Sequence, residues 1–599
     1  MDGAGGAAIP ASVLGVEQSV CGRRWRWCGG DAQAGRDIAE RLALPEVVGR
    51  LLAQRGVDLD RAPGFLKPRL REQLPNPTDL RDMEAAAARL VRAVRDDETI
   101  AIFGDYDVDG ATSAALLARF FEAIGAPTRI YVPDRISEGY GPNSAALMRL
   151  RGEGVRVVVT VDCGTTAHLP LAEAAESGLD VIVVDHHVAE PLLPRAAAVV
   201  NPNRLDEASP HGSLAAVGVA FLLVVAVNRA LRGAGWYGAG RTEPDLLGWL
   251  DLVALGTVCD VVPLTGLNRA LVAQGIRVAR HSTNPGLAAL AAIAGIKEPI
   301  DAYHLGFVLG PRVNAGGRVG ASDLGARLLA TDDPRLAAEL AQRLDAHNRE
   351  RREIEARTLA AAIAMVEAVP QAAVMTFAAA AGWHPGVIGI VASRLRERYE
   401  RPALVIALDG GIGRGSGRSI PGVALGPAVI AARQSGLLIN GGGHAMAAGF
   451  TVAADKLDAL REFLVERLGN GLDQSSLVPE LIVDGALSAA AAQSELIGHI
   501  DRLAPFGAAN PEPRFVFPAL RVLHTEMVGG AHLRCSLADP FDGARLPAIA
   551  FRVGETPLRH FLAETRGAAI HVAGHLRRDT WRGGDAVRLV IDDAAPVSS

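Results

Sequence analysis

Three apolar, β-branched runs, Thr99–Phe103, Val155–Val161 and Val181–Val184, each break off directly into a cluster of acids or imidazoles. The first is followed by Gly104-Asp105-Tyr106-Asp107-Val108-Asp109-Gly110, the second by Asp162-Cys163-Gly164, and the third by Asp185-His186-His187. A fourth cluster, Gly256-Thr257-Val258-Cys259-Asp260, closes an apolar helical stretch. Continuous Val/Ile strands alternating with helical segments such as Ala111–Ile124 and Ala167–Ser177 predict a parallel sheet covered on both faces. In open sheets of that kind ligands bind beyond the carboxyl ends of the strands. The clusters are therefore expected to converge on one crevice from distant positions in the chain.

Convergent carboxylates repel one another unless something neutralises them, and divalent cations do so. Oxygen donors with one or two imidazoles suit Mn²⁺ or Mg²⁺ better than zinc. Two such ions ~3.5–4 Å apart, bridged by a carboxylate, are a recurrent device for phosphoester hydrolysis. A lone DxDxD also occurs in Asp-rich turns and calcium loops, although the later acid of an EF-hand loop is missing here. A lone His-His pair more often packs than ligates. The four clusters together carry the metal reading.

The 599 residues exceed what one core holds, ~300 residues, so two to four domains are expected. Residues 1–40 are Gly/Ala-rich and read as a loose arm. Within them Arg23–Trp27 (RRWRW) mixes cations with aromatics, which suits packing on the next domain or a nucleic-acid contact. Pro334–Val366 contains no internal Pro or Gly and repeats Leu and Ile at helical spacing. A continuous helix there is ~50 Å long, and its polar middle, DAHNRERREIE, suits a strut bridging two domains across a groove. A second, glycine-rich α/β segment runs from about 372 to 469. Beyond a turn at Pro505–Pro513 come five β-like runs, Phe515–Val522, His532–Ser536, Leu546–Phe551, Ala569–Leu576 and Ala586–Ile591, which predict a small barrel such as an OB-fold.

At 49% hydrophobic and 21% charged residues the chain is neither disordered nor collagen-like. A net charge of −6 excludes a polycation, so nucleic acid must be met by local basic patches. Those patches are arginine, since only three lysines occur. Arginine grips phosphate as a bidentate fork, and a GC-rich genome produces the same bias. Five cysteines make no disulfide framework and fit a reducing cytoplasm. The N-terminus lacks the pattern of a signal peptide. The longest apolar run, Leu214–Val227, falls short of the ~18 residues of a bilayer span. No membrane is expected as a partner, and the expected location is cytoplasmic.

GDYDVDG, VDCG, DHH and GTVCD, in this order, resemble the motifs of the DHH phosphoesterase superfamily. The segments LDLVALGTVCDVVPL, GPRVNAGGR, GWHPGVIGIVASR, GSGRSIPG, GGGHAMAAGF and PFGAANPEP are similar to its RecJ-type branch, 5′→3′ exonucleases specific for single-stranded DNA. The resemblance runs from about Phe65 to Trp581. It implies an α/β chain in which an N-terminal arm and lead-in (1–75) precede a DHH catalytic domain with a parallel sheet (76–333). A long connecting helix (334–368), a DHH-associated α/β domain (369–470) and an OB-like β-barrel (475–599) follow. It implies that Asp107, Asp109, Asp162, His186 and Asp260 hold two Mn²⁺ or Mg²⁺ ions, with Asp162 as the bridge. Asp105 and His187 are implied as a further ligand or a supporting group, and His187 as a stabiliser of a leaving or non-bridging oxygen. Many superfamily members carry a metal-binding His at the position of Phe103; RecJ-type sequences commonly lack it, as this chain does.

The same resemblance places Ser416 and Arg418 in a pocket for the terminal 5′-phosphate. Arg135 and Arg312 become further phosphate contacts, with Asn314 and Arg318 along the strand backbone. Gly442, Gly443 and His444 belong to a glycine run whose backbone N–H groups can approach a phosphate without Cβ obstruction. Trp383 and His384 open a turn before an apolar helix, as core, stacking or hydrogen-bonding groups. In the barrel, Arg552, Arg577, Arg578, Trp581 and Arg582 are candidate strand contacts. The implied partners are single-stranded DNA, a helicase that supplies it and a single-strand-binding protein; the implied setting is DNA repair and recombination. A DHH phosphodiesterase for oligoribonucleotides or cyclic dinucleotides is the enzyme alternative, but its members are shorter and lack PFGAANPEP and the barrel. A non-catalytic strand-binding relative would have lost the acids, and a pyrophosphatase has no use for a barrel.

Overall fold

A computed structural model of the chain describes residues 12–135, 137–238, 240–281, 284–368, 374–469, 478–579 and 586–597. It divides into two compact units, one built from 69–472 and the other from the two ends of the chain.

The larger unit begins with a five-stranded parallel sheet of β1 (Ile100–Gly104), β2 (Thr128–Tyr131), β3 (Val157–Val161), β4 (Asp180–Val184) and β5 (Ala198–Val200). β1 and β3 are buried along their whole length, as strands covered on both faces must be. The spatial order is β2-β1-β3-β4-β5. The order reverses between β1 and β3, so the loops leaving these strands diverge and open a crevice at their carboxyl ends. Helix α1 (Val108–Ala123) starts in that crevice. Helices α2 (Ala216–Gly233) and α3 (Leu250–Cys259) pack behind it in one apolar core. Helix α2 has the length and apolarity to cross a membrane, and most of its surface is buried in that core.

Helix α4 (Gly310–Val319) leads towards the long helix α5 (Pro334–Glu367), whose N-cap Asp333 accepts from the Arg335 N–H. Leu340 and Leu344, in the first half of α5, join the core of the first lobe. Ala362 and Ile363, near its end, join that of the second. Between them the helix is polar but not merely solvated. Arg351 is buried, donating to Asn348 (2.9 Å) and pairing with Glu355 (2.7 Å). The second lobe is a five-stranded sheet of β6 (Thr376–Ala381), β7 (Ala403–Asp409), β8 (Ile412–Arg418), β9 (Asn440–His444) and β10 (Ala447–Ala453), in the order β9-β10-β8-β7-β6. Helix α6 (Ile388–Tyr399) packs against β7 and β8.

The smaller unit holds a closed five-strand barrel of β11 (Phe515–Val528), β12 (His532–Ala538), β13 (Arg545–Ala550), β14 (Ala569–Arg578) and β15 (Val587–Pro596). The ring runs β11-β12-β13-β15-β14 and closes through β11 on β14. Here the expectation of a loose N-terminal arm is overturned for residues 12–40. The strand Arg24–Trp27 pairs in parallel with Glu480–Val483. Trp25 is fully buried and donates its indole N–H to Asp593 (3.1 Å), which also accepts from the Ser19 hydroxyl (2.6 Å). Ile38, Val48, Leu51 and Leu52 share one core with the barrel residues Phe515, Phe517 and Leu537. Residues 12–68 thus belong to the barrel's own unit, and RRWRW is used for packing.

Candidate metal and nucleic-acid site

The loop after β1 carries Asp105, Asp107 and Asp109, each held differently. Asp107 caps α1, its carboxylate accepting from the N–H groups of Asp109 (2.9 Å) and Gly110 (3.1 Å). Asp109, almost fully buried, accepts from the N–H groups of Ala216 (2.6 Å) and Val217 (2.9 Å) at the start of α2. A helix N-terminus stabilises an anion in this way. Asp105 is buried beside them, and its Oδ1 has no hydrogen-bond donor among the described residues.

After β3, Asp162 adopts φ +59°. This left-handed backbone is uncommon outside glycine and least costly for Asp and Asn. After β4, Asp185 organises the two histidines. It accepts from the backbone N–H groups of His186 (2.8 Å) and His187 (3.2 Å), and lies 2.7 Å from His187 Nδ1. His186 then reaches three carboxylates at once, Nε2 lying 3.2 Å from Asp162 and 4.0 Å from Asp109, and Nδ1 3.6 Å from Asp260. Asp260 ends α3, and the next residue, Val261, is β-branched with φ +61°, a strained conformation beside the site.

Three overlapping groups of ligand atoms result: Asp162 with His186 and His187, Asp109 with His186 and Asp260, and Asp105 with Asp107 and Asp162. The atoms of each group lie within 4.8 Å of one another. All seven sequence candidates for the metal site therefore meet. Burial, then the charge of Asp107, raises the pKa of Asp105 and, to about 7, that of Asp260. Burial and the carboxylates around them raise those of Asp109 and Asp162 well above the ordinary range. Asp185 goes the other way: burial opposes its ionisation, but hydrogen bonds from His187 and Thr165 prevail and lower its pKa. Among the described residues, buried oxygens of Asp105, Asp162 and Asp260 have no hydrogen-bond donor. Orphaned, mutually repelling carboxylate oxygens with one or two imidazoles fit hard divalent cations.

Beside the acids lies a basic cluster. Arg135 sits over the Tyr106 ring (5.0 Å to its centre). Arg318 donates to the carbonyl of Gly386 (3.0 Å), linking α4 to the turn before α6. Arg418 donates to the Ser416 hydroxyl (3.1 Å) and the Gly417 carbonyl (2.8 Å). None of the three has an ion pair among the described residues. Burial, followed by the like charges of Arg135, Arg351 and Arg418, lowers the Arg318 pKa to about 10. Burial and the Arg135 charge depress that of Arg418. Crowded cations without carboxylate partners form a site for an anion. Gly389 of α6 makes room for it, since a Cβ there would lie 3.1 Å from Ser416 Oγ.

The other candidates have their own settings, and the strand register sets Gly442 and His444 two strands from Ser416 and Arg418, across Gly449 and Ala447. Arg312 donates to Asp345 of α5 (2.9 Å) and to the Val308 carbonyl (2.7 Å), so it braces two helices. Asn314 lies on α4, and Gly442, Gly443 and His444 lie on β9, an edge strand. Phe103 is buried against Tyr131. His384 accepts from the Gly386 N–H (3.0 Å). Trp581 and Arg582 fall outside the described residues. In the barrel, Arg577 is bound to Glu512 and Arg578 to Asp501, whereas Arg552 has no ion pair among the described residues.

Two site residues carried no role in the sequence reading. Asp185 was legible as part of a motif, but its bracing of both histidines was not. Tyr140 donates to the Asp162 carbonyl (2.9 Å) and lies 3.4 Å from His187 Nδ1; its glycine-flanked setting after β2 was the only available signal. Gly317 of α4 is a further support, since a Cβ there would sit 2.5 Å from the Tyr106 carbonyl oxygen. Gly317→Ala is therefore expected to push the first acidic loop. It should lower turnover about tenfold and cost about 1–3 kcal/mol of stability, as measured by steady-state kinetics and thermal melting.

Family models match the chain in three places: the DHH family N-terminal domain over 99–257, the DHHA1 domain over 370–470 and the RecJ OB domain over 483–593. The chain is 37% identical to the single-stranded-DNA-specific exonuclease RecJ of Dickeya dadantii, over 93% of this chain and 97% of that protein. It is 36% identical to that of Escherichia coli, over 92% and 96%. The crystal structure of RecJ with Mn²⁺ from Thermus thermophilus superposes with a TM-score of 0.79 at 29% identity, covering 96% of this chain and 80% of that one.

Proposed function

The chain belongs to the RecJ family within the DHH phosphoesterases, and from that premise we propose a 5′→3′ exonuclease reaction that removes mononucleotides from single-stranded DNA. The protein is a metal-dependent exonuclease specific for single-stranded DNA, of the kind that serves DNA repair. The observation that carries the proposed polarity is the adjacency of two unlike clusters. Seven acids and imidazoles meet at the switch point of the sheet, and three arginines with no ion pair among the described residues border them.

Asp107, Asp109, Asp162, His186 and Asp260 would hold two Mn²⁺ or Mg²⁺ ions, which when bound lower the pKa of a water and neutralise charge on the phosphate. Asp105 and Asp185 are supports, the latter fixing both imidazoles. His187 donates Nδ1–H to Asp185; against the cost of burial, that bond and the Asp185 charge raise the imidazole pKa to about 9, so the ring is doubly protonated at neutral pH and has Nε2–H to donate to a phosphate oxygen. Arg135, Arg318, Ser416 and Arg418 grip the terminal phosphate and the first linkage, so that the 5′ end alone reaches the acids. The barrel adds a second grip on the strand. We place the reaction in the cytoplasm, with a helicase and a single-strand-binding protein as suppliers of substrate.

The test uses 5′-labelled and 3′-labelled single strands, a duplex and an RNA strand, each with Mn²⁺, Mg²⁺ or EDTA. Labelled mononucleotide should appear first from the 5′-labelled single strand with either metal, and not with EDTA. Early release of the 3′ label, or digestion that survives EDTA, would overturn the assignment.

A further inference from the structure

Arg135 lies in the loop between β2 and the helix Ser144–Gly152, and that loop is closed around one carboxylate. Glu138 accepts from the Tyr131 hydroxyl at the end of β2 (2.5 Å). It also accepts from the Asp134 N–H (3.2 Å) and from the Asn143 side-chain amide (3.5 Å). Asn143 is itself the N-cap of the following helix, accepting from the Ala146 N–H (2.9 Å). One side chain thus ties the strand that enters the loop to the helix that leaves it. Arg149 of that helix completes the cluster. It donates to the Tyr131 hydroxyl, stacks over the Tyr131 ring (5.2 Å), and lies 3.6 Å from Glu138.

Inside this frame the turn carrying Arg135 is closed again. The Asp134 carbonyl accepts from the N–H groups of Glu138 (2.8 Å) and Gly139 (3.1 Å). The Asp134 carboxylate accepts from the Ser137 N–H and hydroxyl (both 2.8 Å). The turn that carries Arg135 is therefore anchored at Asp134, Ser137 and Glu138, while the Arg135 guanidinium, over Tyr106, has no ion pair among the described residues. Tyr140, further along the loop, has its own anchor on the Asp162 carbonyl. Loss of the Glu138 clamp would free Arg135 more than it frees Tyr140.

We propose that Glu138, with Tyr131 and Arg149, is a positioning device for Arg135 that sets the preference for strands bearing a 5′-phosphate. The proposal rests on the assignment of Arg135 to the terminal phosphate. A guanidinium held in place before the substrate arrives loses less freedom on gripping the phosphate than one that must be ordered by it. The benefit falls on substrates that carry the phosphate, so selectivity is the readout. A merely structural role would move both substrates together.

The experiment measures kcat and KM of the full-length enzyme on 5′-phosphorylated and 5′-hydroxyl strands of one sequence. Wild type is compared with Arg135→Ala, Glu138→Gln, Tyr131→Phe and the double variant Arg135→Ala/Glu138→Gln, after thermal melting confirms folding. Arg135→Ala should reduce the ratio of kcat/KM between the two strands. Glu138→Gln should reduce it about tenfold, chiefly through KM on the phosphorylated strand. Tyr131→Phe should shift it in the same direction. The double variant should be no less selective than Arg135→Ala alone, because the clamp acts through that side chain. A Glu138→Gln enzyme that loses activity equally on both strands, one whose ratio is unchanged, or an additive loss in the double variant would overturn the clamp. An unchanged ratio in Arg135→Ala would overturn the phosphate assignment itself, and the clamp with it.

Discussion

Asp162→Ala is expected to lower turnover on single-stranded DNA by roughly 10²–10⁴-fold while leaving the fold intact. Asp162 touches two of the three ligand groups, and its oxygen lies 3.2 Å from His186 and 3.9 Å from His187. Losing a group that organises charge stabilisation in the transition state costs about 2.7–4 kcal/mol, weakened metal affinity adds to that, and each 1.36 kcal/mol is tenfold in rate. Stability should move differently. Without metal the site is a set of like charges held together by the rest of the fold, so deleting one relieves repulsion. The metal-free variant should melt no lower than the metal-free wild type. Added Mn²⁺ should raise the melting temperature of wild type, by linkage to the folded state, and raise that of the variant much less. Strand binding, measured in EDTA, should change little. Turnover within a few-fold of wild type in Mn²⁺, or an undiminished Mn²⁺ shift in melting, would remove Asp162 from the centre of the site.

The motifs at strand ends were legible because one local rule applies to them: an apolar run fixes a strand, and the residues directly after it must lie at its carboxyl end. That rule says which residues share an edge, and it brought Asp107, Asp162 and His186 together correctly. It does not say which strands are neighbours, so the reversal between β1 and β3 that opens the crevice had to come from the structure. Nor does it reach groups that depend on a distant partner. Asp109 rests on Ala216 and Val217 of another helix, and Arg312, which reads as a phosphate ligand, is held by Asp345. Each pairing is settled by packing, to which local spacing is blind. The N-terminal segment is the largest case. Its glycine and alanine content reads as loose because residues nearby in sequence cover Trp25 only in part: Val13 and Val16 share its core, but Leu481, Val483 and Val516, hundreds of positions later, complete it.

That shared core decides how the barrel's contribution must be tested. Cutting the chain after about residue 475 would strip the partners from Ile38, Val48, Leu51 and Leu52 and leave an apolar face exposed. The chain that removes the whole unit is 69–472. It keeps every residue of the metal and arginine clusters, so kcat on short oligonucleotides should stay within a few-fold of wild type. On long single strands KM should rise about 10–100-fold, the equivalent of one or two lost base stacks at ~1–3 kcal/mol each. Lost phosphate contacts should also flatten the salt dependence of binding by ~0.7 in log–log slope per contact. Arg521 and Arg545 are the residues to examine first within the intact protein. Both lie opposite Ala538 in the strand register, which puts them on one face of the barrel, and both are exposed with no ion pair among the described residues. Arg577 and Arg578, already bound to Glu512 and Asp501, have less charge to offer a strand. The double variant Arg521→Ala/Arg545→Ala should therefore reproduce part of the KM increase and reduce the salt slope by about 1–1.5. If 69–472 is folded by circular dichroism and binds long strands with unchanged affinity and salt slope, the barrel does not grip DNA. The basic face would then have to serve a protein contact instead.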